Sequence, residues 1–177
     1  MTSRLEMLRG LVRDVPDFPQ PGVVFKDITP LLASADGFQA AIEELVASAP
    51  EDIDVVVGME ARGFIFAAPV ALALGAGFVP VRKPGKLPGD VVSQAFDLEY
   101  GSTALNMHRD AIVSGARVLV VDDVLATGGT IGATAKLLEQ LGAELVHVSV
   151  LLELGFLEGR QRLQELGIHN CSAVLKV

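Results

Sequence analysis

The sequence predicts an α/β domain, a parallel sheet with helices packed on both faces. Three observations predict it. Short, nearly continuous apolar runs suited to buried strands alternate along the chain with segments of helical periodicity. The 177 residues, half of them hydrophobic, suffice for one domain whose core needs no disulfide or metal staple. Residues 63–81, GFIFAAPVALALGAGFVPV, carry no charge, yet Pro69, Gly75, Gly77 and Pro80 interrupt them. That length could span a membrane, but the interruptions make it a buried helix over about 64–74, a glycine turn and a short buried strand.

The elements follow in order. Ser3 and Glu6 have capping-box spacing, and Leu5, Leu8, Leu11 and Val12 recur at helical intervals, so a first helix is expected over about 3–15. DVPDFPQPGVVFKD holds three prolines and a glycine and reads as an ordered loop. Phe38, Ala41, Ile42 and Leu45 share one face of a helix over 36–49. IDVVVG (53–58) and GFVPV (77–81) are buried strands, and 91–98 alternates loosely as an extended, partly exposed arm. STALNMHRDAI (102–112) reads as a short helix, and RVLVV (117–121) as a third core strand. A helix over 130–141 ends at Gly142, ELVHVSVLLEL is a fourth strand, and SAVLKV a fifth. No internal repeat or low-complexity segment interrupts this order.

Charge and cysteine count narrow the function. A net charge of −8 repels nucleic acid backbones and disfavours a general DNA- or RNA-binding role. The single Cys171 excludes an intramolecular disulfide and fits a reducing, cytoplasmic setting. The N-terminal MTSRLEMLRGLV is charged and amphipathic, unlike the apolar core of a signal peptide.

In open α/β sheets, ligands bind at the carboxyl ends of the strands. Three loops fall there. MEARGF carries Glu60, Arg62 and Gly63; RKPGKLPG carries Arg82, Lys83 and Lys86 among glycines and prolines; DDVLATGGT follows the third core strand. In the last, Gly128 and Gly129 let backbone N–H groups turn inward, Thr127 and Thr130 add hydroxyl donors, and a helix begins. Such a loop suits a phosphate monoester. It is neither a P-loop, since the lysine–serine/threonine end is missing, nor a dinucleotide fingerprint. Asp122 and Asp123 would repel that phosphate and so must address another part of the ligand, either a vicinal diol or a water-bridged Mg²⁺. The basic loop, joined by Arg62, fits a pyrophosphate. Together the loops describe a phosphorylated ribose carrying a pyrophosphate leaving group.

VLVVDDVLATGGT resembles the phosphoribosyl-pyrophosphate motif of type I phosphoribosyltransferases. FPQPGVVFKDITPLL, MEARGF, VPVRKPGKLPG and DLEYG extend the resemblance over nearly the whole chain and point to the adenine branch. The resemblance implies the three-layer type I fold as a single domain over 1–177. In it, a small N-terminal hood region (1–35) recognises the base, and a core (36–177) carries a lid at about 86–97. It implies purine salvage: adenine and phosphoribosyl pyrophosphate give AMP and pyrophosphate, with Mg²⁺ held mainly by substrate and water. A cytoplasmic homodimer is expected, with no nucleic acid or membrane partner. Ala126, Thr127, Gly128, Gly129 and Thr130 would cradle the 5′-phosphate, and Asp122 and Asp123 the ribose hydroxyls. Glu60, Ala61 and Arg62, with a non-proline cis peptide, would meet the pyrophosphate together with Arg82, Lys83 and Lys86. Val24, Phe25 and Lys26 would grip adenine, Phe25 by stacking and the others through main-chain groups. Glu99 would take the purine proton and offset the positive charge developing on ribose, with Tyr100 orienting it or lining the lid.

Three positions depart from or fall outside that pattern. Lys26 stands where many relatives carry arginine and Asn106 where an acid is common, while His108 has no assigned role. Two other readings compete: a transferase for another purine base, and a non-catalytic phosphoribosyl-pyrophosphate sensor that regulates transcription. The second would need a nucleic-acid-binding surface that this charge disfavours.

Overall fold

The structure, a computed structural model, describes residues 3–98 and 101–177. The chain forms two compact units, residues 1–44 and 45–177.

In the first unit, α1 (Arg4–Gly10) opens with the expected capping box. The Glu6 N–H donates to Ser3 Oγ at 3.2 Å, and the Ser3 N–H donates to Glu6 Oε2 at 2.7 Å. The helix stops at Gly10, earlier than the apolar spacing suggests, because the chain turns extended to pair. β1 (Arg13–Pro16) runs antiparallel to β2 (Val24–Asp27), from Arg13 opposite Asp27 to Pro16 opposite Val24. The proline-rich stretch is therefore a hairpin rather than a plain loop. Its turn holds Asp17 and Gly22 at positive φ, and the Asp17 carboxylate accepts the Gly22 N–H at 2.8 Å. The Phe18 ring meets Phe25 edge-on, with centroids 5.2 Å apart. Asp27 accepts the Thr29 N–H at 2.9 Å where α2 (Thr29–Ala33) begins, and α3 (Ala35–Ala47) follows. Arg4 pairs with Glu43 at 3.0 Å.

The second unit is a five-stranded parallel sheet. Its members in chain order are β3 (Val55–Met59), β4 (Gly77–Val81), β7 (Arg117–Leu125), β8 (Glu144–Glu153) and β9 (Cys171–Lys176), arranged β4-β3-β7-β8-β9. α4 (Arg62–Leu74) links β3 to β4, α5 (Gly129–Gln140) links β7 to β8, and α6 (Gly159–Glu165) precedes β9. The strands are Val-rich because both faces are covered. Val57, Val79, Val120 and Val148 join one core with Ile131 and Leu137 of α5. Val56 and Gly58 alternate to the α4 side, where a Cβ on Gly58 would come within 2.6 Å of Ala67 Cβ. α4 ends at Gly75, in the left-handed region at φ +67°, and the Ala76 N–H reaches back to the Ala71 carbonyl at 2.9 Å.

Three further expectations change. Residues 102–112 are not a helix: β6 (Gly101–His108) pairs antiparallel with β5 (Val91–Leu98), the arm expected at 91–98. Leu105 and Met107 enter the core two residues apart, a strand period, together with Val92 of β5. The third core strand runs on to Leu125, so Asp122 and Asp123 lie within β7 rather than in a loop after it. α6 had no counterpart among the expected elements.

Candidate active site

β3 pairs with β7 only as far as Gly58 opposite Val121, whereas β8 follows β7 out to Leu125 opposite Glu153. From Asp122 onward, β7 overhangs β3. The first turn of α4 occupies the space beside the overhang. Gly63 lies so close that a Cβ there would sit 2.6 Å from Asp122 Oδ1. Arg62 Nε stands 2.7 Å from Asp123 Oδ2, in an ion pair whose angle is not that of a hydrogen bond. The Glu60–Ala61 peptide just upstream is cis.

Both aspartates are buried, and the Asp123 N–H donates to Asp122 Oδ1 at 3.0 Å. Burial first, and the neighbouring Asp123 charge second, push the Asp122 carboxyl well above the usual carboxylate range. Burial also raises Asp123, against the opposing pull of the Arg62 charge. Once ionised, two sequestered carboxylates call for hydroxyl donors or a cation to offset the cost of their burial.

The basic loop is tied to the same place. Glu60 accepts the Lys83 N–H at 3.0 Å and the Arg82 Nε–H at 3.2 Å. The Lys83 amide, then burial and Arg82, account for a Glu60 carboxyl held below its ordinary value: the hydrogen bonds outweigh burial, which acts the other way. Arg82 Nη1 donates to the Lys86 carbonyl at 3.1 Å, so this guanidinium shapes the loop, while Lys83 and Lys86 are exposed. Arg82 and Asn106 exchange backbone hydrogen bonds of 2.9 and 2.7 Å, which fasten the β5–β6 hairpin to the end of β4.

Beyond the aspartates, residues 124–131 line a small, open cleft of about 50 Å³ with no side-chain cation. Gly128 has φ +81°, and a Cβ on it would meet the Gly159 carbonyl oxygen at 2.9 Å, so only glycine fits. Gly129 starts α5, where the first N–H groups have no carbonyl of an earlier turn to bind. The Phe96 ring of β5 lies 3.3 Å from where a Gly129 Cβ would stand.

Segments 60–63, 82–86 and 122–130 are thus joined by direct contacts at the ends of three neighbouring strands. Val24, Phe25 and Lys26 form β2 of the first unit, whose second edge carries no strand among the described residues. Lys26 Nζ is held by Asp14 at 2.7 Å, which leaves its backbone as the part available to a ligand. Glu99 and Tyr100 lie outside the described residues. Sequence reasoning missed Phe96 and Gly159 beside the loop. The only signal for Gly159 was a glycine just ahead of the polar run RQRLQE. His147 sits in the sheet, 2.9 Å from Ser172 Oγ, away from these loops.

The phosphoribosyl transferase domain model matches residues 25–166. The adenine phosphoribosyltransferase of Cutibacterium acnes is 66% identical over 177 residues, all of both chains, and that of Thermobifida fusca 56% over 164 residues, 92% of this chain and 93% of the other. The crystal structure of adenine phosphoribosyltransferase from Thermoanaerobacter pseudethanolicus superposes with a TM-score of 0.93 at 48% identity, covering 98% of this chain and 99% of the other. The Saccharomyces cerevisiae enzyme, solved with an imino-altritol bisphosphate and adenine, gives 0.88 at 38%, covering 99% and 100%. This chain belongs to the phosphoribosyltransferase family, on its adenine phosphoribosyltransferase branch.

Proposed function

We propose that this chain salvages purine by transferring the 5-phosphoribosyl group of phosphoribosyl pyrophosphate to adenine, giving AMP and pyrophosphate. The observation that carries the reading is the unbroken run of contacts from Lys83 through Glu60, Arg62 and Gly63 to Asp122 and Asp123. The strand bearing that acid pair leads straight into the glycine turn at α5. The choice of adenine rests on full-length relatives that bear that name.

Each group then has a task. Amides and hydroxyls of Ala126, Thr127, Gly128, Gly129 and Thr130 take the 5′-phosphate, favoured by the α5 dipole. Asp122 and Asp123 accept hydrogen bonds from the ribose diol, which supplies the donors that two buried carboxylates need. Arg62, Lys83 and Lys86 meet the pyrophosphate, and Glu60, Ala61 and Arg82 hold that clamp in shape. Adenine stacks on Phe25, while the free edge of β2 at Val24 and Lys26 offers main-chain groups to its amino group and ring nitrogen. Glu99 takes the proton from the purine nitrogen as its lone pair reaches C1′, the C1′–oxygen bond breaks, and the electron pair leaves with pyrophosphate. The same carboxylate offsets the oxocarbenium charge, and Tyr100 orients it.

Mg²⁺ fits this donor set only as a partner of the substrate. The described residues hold no cluster of three acidic, histidine or cysteine side chains, so pyrophosphate, water and at most Asp122 and Asp123 would supply its oxygens. When bound, it offsets charge on the leaving group.

The chain works as one domain, with residues 1–35 recognising the base and a core over 36–177 whose 86–97 segment covers the site. Homodimerisation is supported by exposed Ile65, Leu72 and Phe78 on α4 and the edge strand β4. A cytoplasmic location suits phosphorylated substrates, and no helix among the described residues is long and apolar enough to cross a membrane. Labelled adenine, hypoxanthine and guanine, each with phosphoribosyl pyrophosphate and Mg²⁺, test the reading. AMP from adenine alone is expected; no turnover of any base, or preference for another, overturns it.

A further inference from the structure

α6 leans on the back of the glycine turn. A Cβ on Gly159 would overlap the Ala126 carbonyl oxygen and come within 2.9 Å of Leu125 Cδ1. A Cβ on Gly128 would meet the Gly159 carbonyl oxygen at 2.9 Å, so the helix and the turn touch backbone to backbone. The next residue fixes the helix. Arg160 Nε donates to Glu153 Oε1 at 2.8 Å and Nη2 to Glu153 Oε2 at 2.6 Å, a two-pronged pair. Its Nη1 donates to the Cys171 carbonyl at 2.6 Å. Glu153 is the last residue of β8 and is buried; Cys171 is the first of β9. One guanidinium therefore ties α6 to two strand ends.

A phosphate held by main-chain amides, without a cation, depends on the aim of each donor. A turn with consecutive glycines has little stiffness of its own. Its rigidity must come from what it rests on, and it rests on Gly159.

We infer that Arg160 is a positioning residue for 5′-phosphate binding: by fixing α6 to Glu153 and the Cys171 carbonyl, it holds Gly159 against Ala126 and Gly128 and keeps the 127–130 amides on target. The inference rests on the reading of 126–130 as the phosphate cradle.

The test varies each substrate separately in wild type, Arg160→Met, Arg160→Lys and Glu153→Gln, with calorimetry of phosphoribosyl pyrophosphate binding in the absence of adenine. Arg160→Met raises KM and Kd for phosphoribosyl pyrophosphate by about tenfold or more, while the adenine KM and kcat stay within about twofold. Arg160→Lys keeps the charge but lacks the fork, and falls between. Unchanged constants, or both KM values and kcat shifting together with the folded fraction, overturn the inference. If Arg160→Met does not fold, Glu153→Gln carries the same comparison. Hydrogen exchange on wild type needs no variant. Adding phosphoribosyl pyrophosphate should slow exchange in α6 as well as in the first turn of α5; protection confined to α5 counts against the role. A wild type that binds no phosphoribosyl pyrophosphate sinks the site reading itself, whereas a fully active wild type whose variants keep its affinity sinks only the part given to Arg160.

Discussion

Gly63→Ala tests how closely α4 is fitted to the acid pair. The added Cβ would sit 2.6 Å from Asp122 Oδ1, where contacts shorter than 3.4 Å are already tight, so the oxygen must retreat by about 0.8 Å (3.4 − 2.6). It cannot retreat freely, because it accepts the Asp123 N–H at 3.0 Å and the residue is 8% exposed. Moving it breaks that hydrogen bond, worth about 1.5–3 kcal/mol when the acceptor is charged. Alanine returns about 0.5–1 kcal/mol of helix propensity in the first turn of α4. The net destabilisation is about 1–2 kcal/mol, a fall in Tm of roughly 2–8 °C for a chain of this size. Activity should suffer more, since a displacement approaching 1 Å at a substrate-holding group costs about 10²-fold in kcat/KM. Steady-state kinetics with phosphoribosyl pyrophosphate varied, beside calorimetric melting, measures both. A Gly63→Ala protein with wild-type kcat/KM and Tm refutes the claim that Asp122 is pinned and that its position matters.

Three more outcomes are expected. Asp122 has a raised carboxyl pKa in the folded protein, so its charged form costs stability, a cost absent below the unfolded value near 3.8 and complete only above the folded pKa. Asp122→Asn should therefore raise Tm at pH 8 by more than at pH 5 while weakening phosphoribosyl pyrophosphate binding; a Tm gain independent of pH argues against a buried charge. Glu99→Gln should cut kcat by about 10²–10⁴-fold with substrate affinities nearly intact, and equal rates remove Glu99 from the proton transfer. Phe25→Ala should raise the adenine KM by about tenfold or more and leave the phosphoribosyl pyrophosphate KM alone, and a parallel rise in both would place Phe25 in folding rather than stacking.

Much of the site could be read from the residues, for a physical reason. A main-chain anion loop needs small residues between a buried strand and a helix, so the composition of RVLVVDDVLATGGT signals the glycine turn at the start of α5 and the phosphate-binding role proposed for it. The β5–β6 hairpin was harder. STALNMHRDAI has no proline or glycine and spaces its apolar residues ambiguously, and only the burial of both Leu105 and Met107 decides for a strand. The β1–β2 hairpin was hidden by its prolines, of which Pro16 ends a strand and Pro19 and Pro21 sit in the turn, where no ladder N–H is required. The contacts of Gly159 with the glycine turn and of Arg160 with two strand ends left almost no trace, because they depend on which distant segments meet and not on any local pattern.

The facing of Gly128 and Gly159 has a consequence for how such an enzyme can be remodelled. Where two large side chains touch, enlarging one can be answered by trimming the other, and families drift through such exchanges. Here both positions already carry the smallest residue, and the opposing atoms are peptide oxygens that no substitution can remove. No compensating swap exists. A roomier pocket for a bulkier phosphorylated sugar would require relocating the whole α6 segment, so sequence change at this seam is closed to evolution and engineering alike unless the helix moves first.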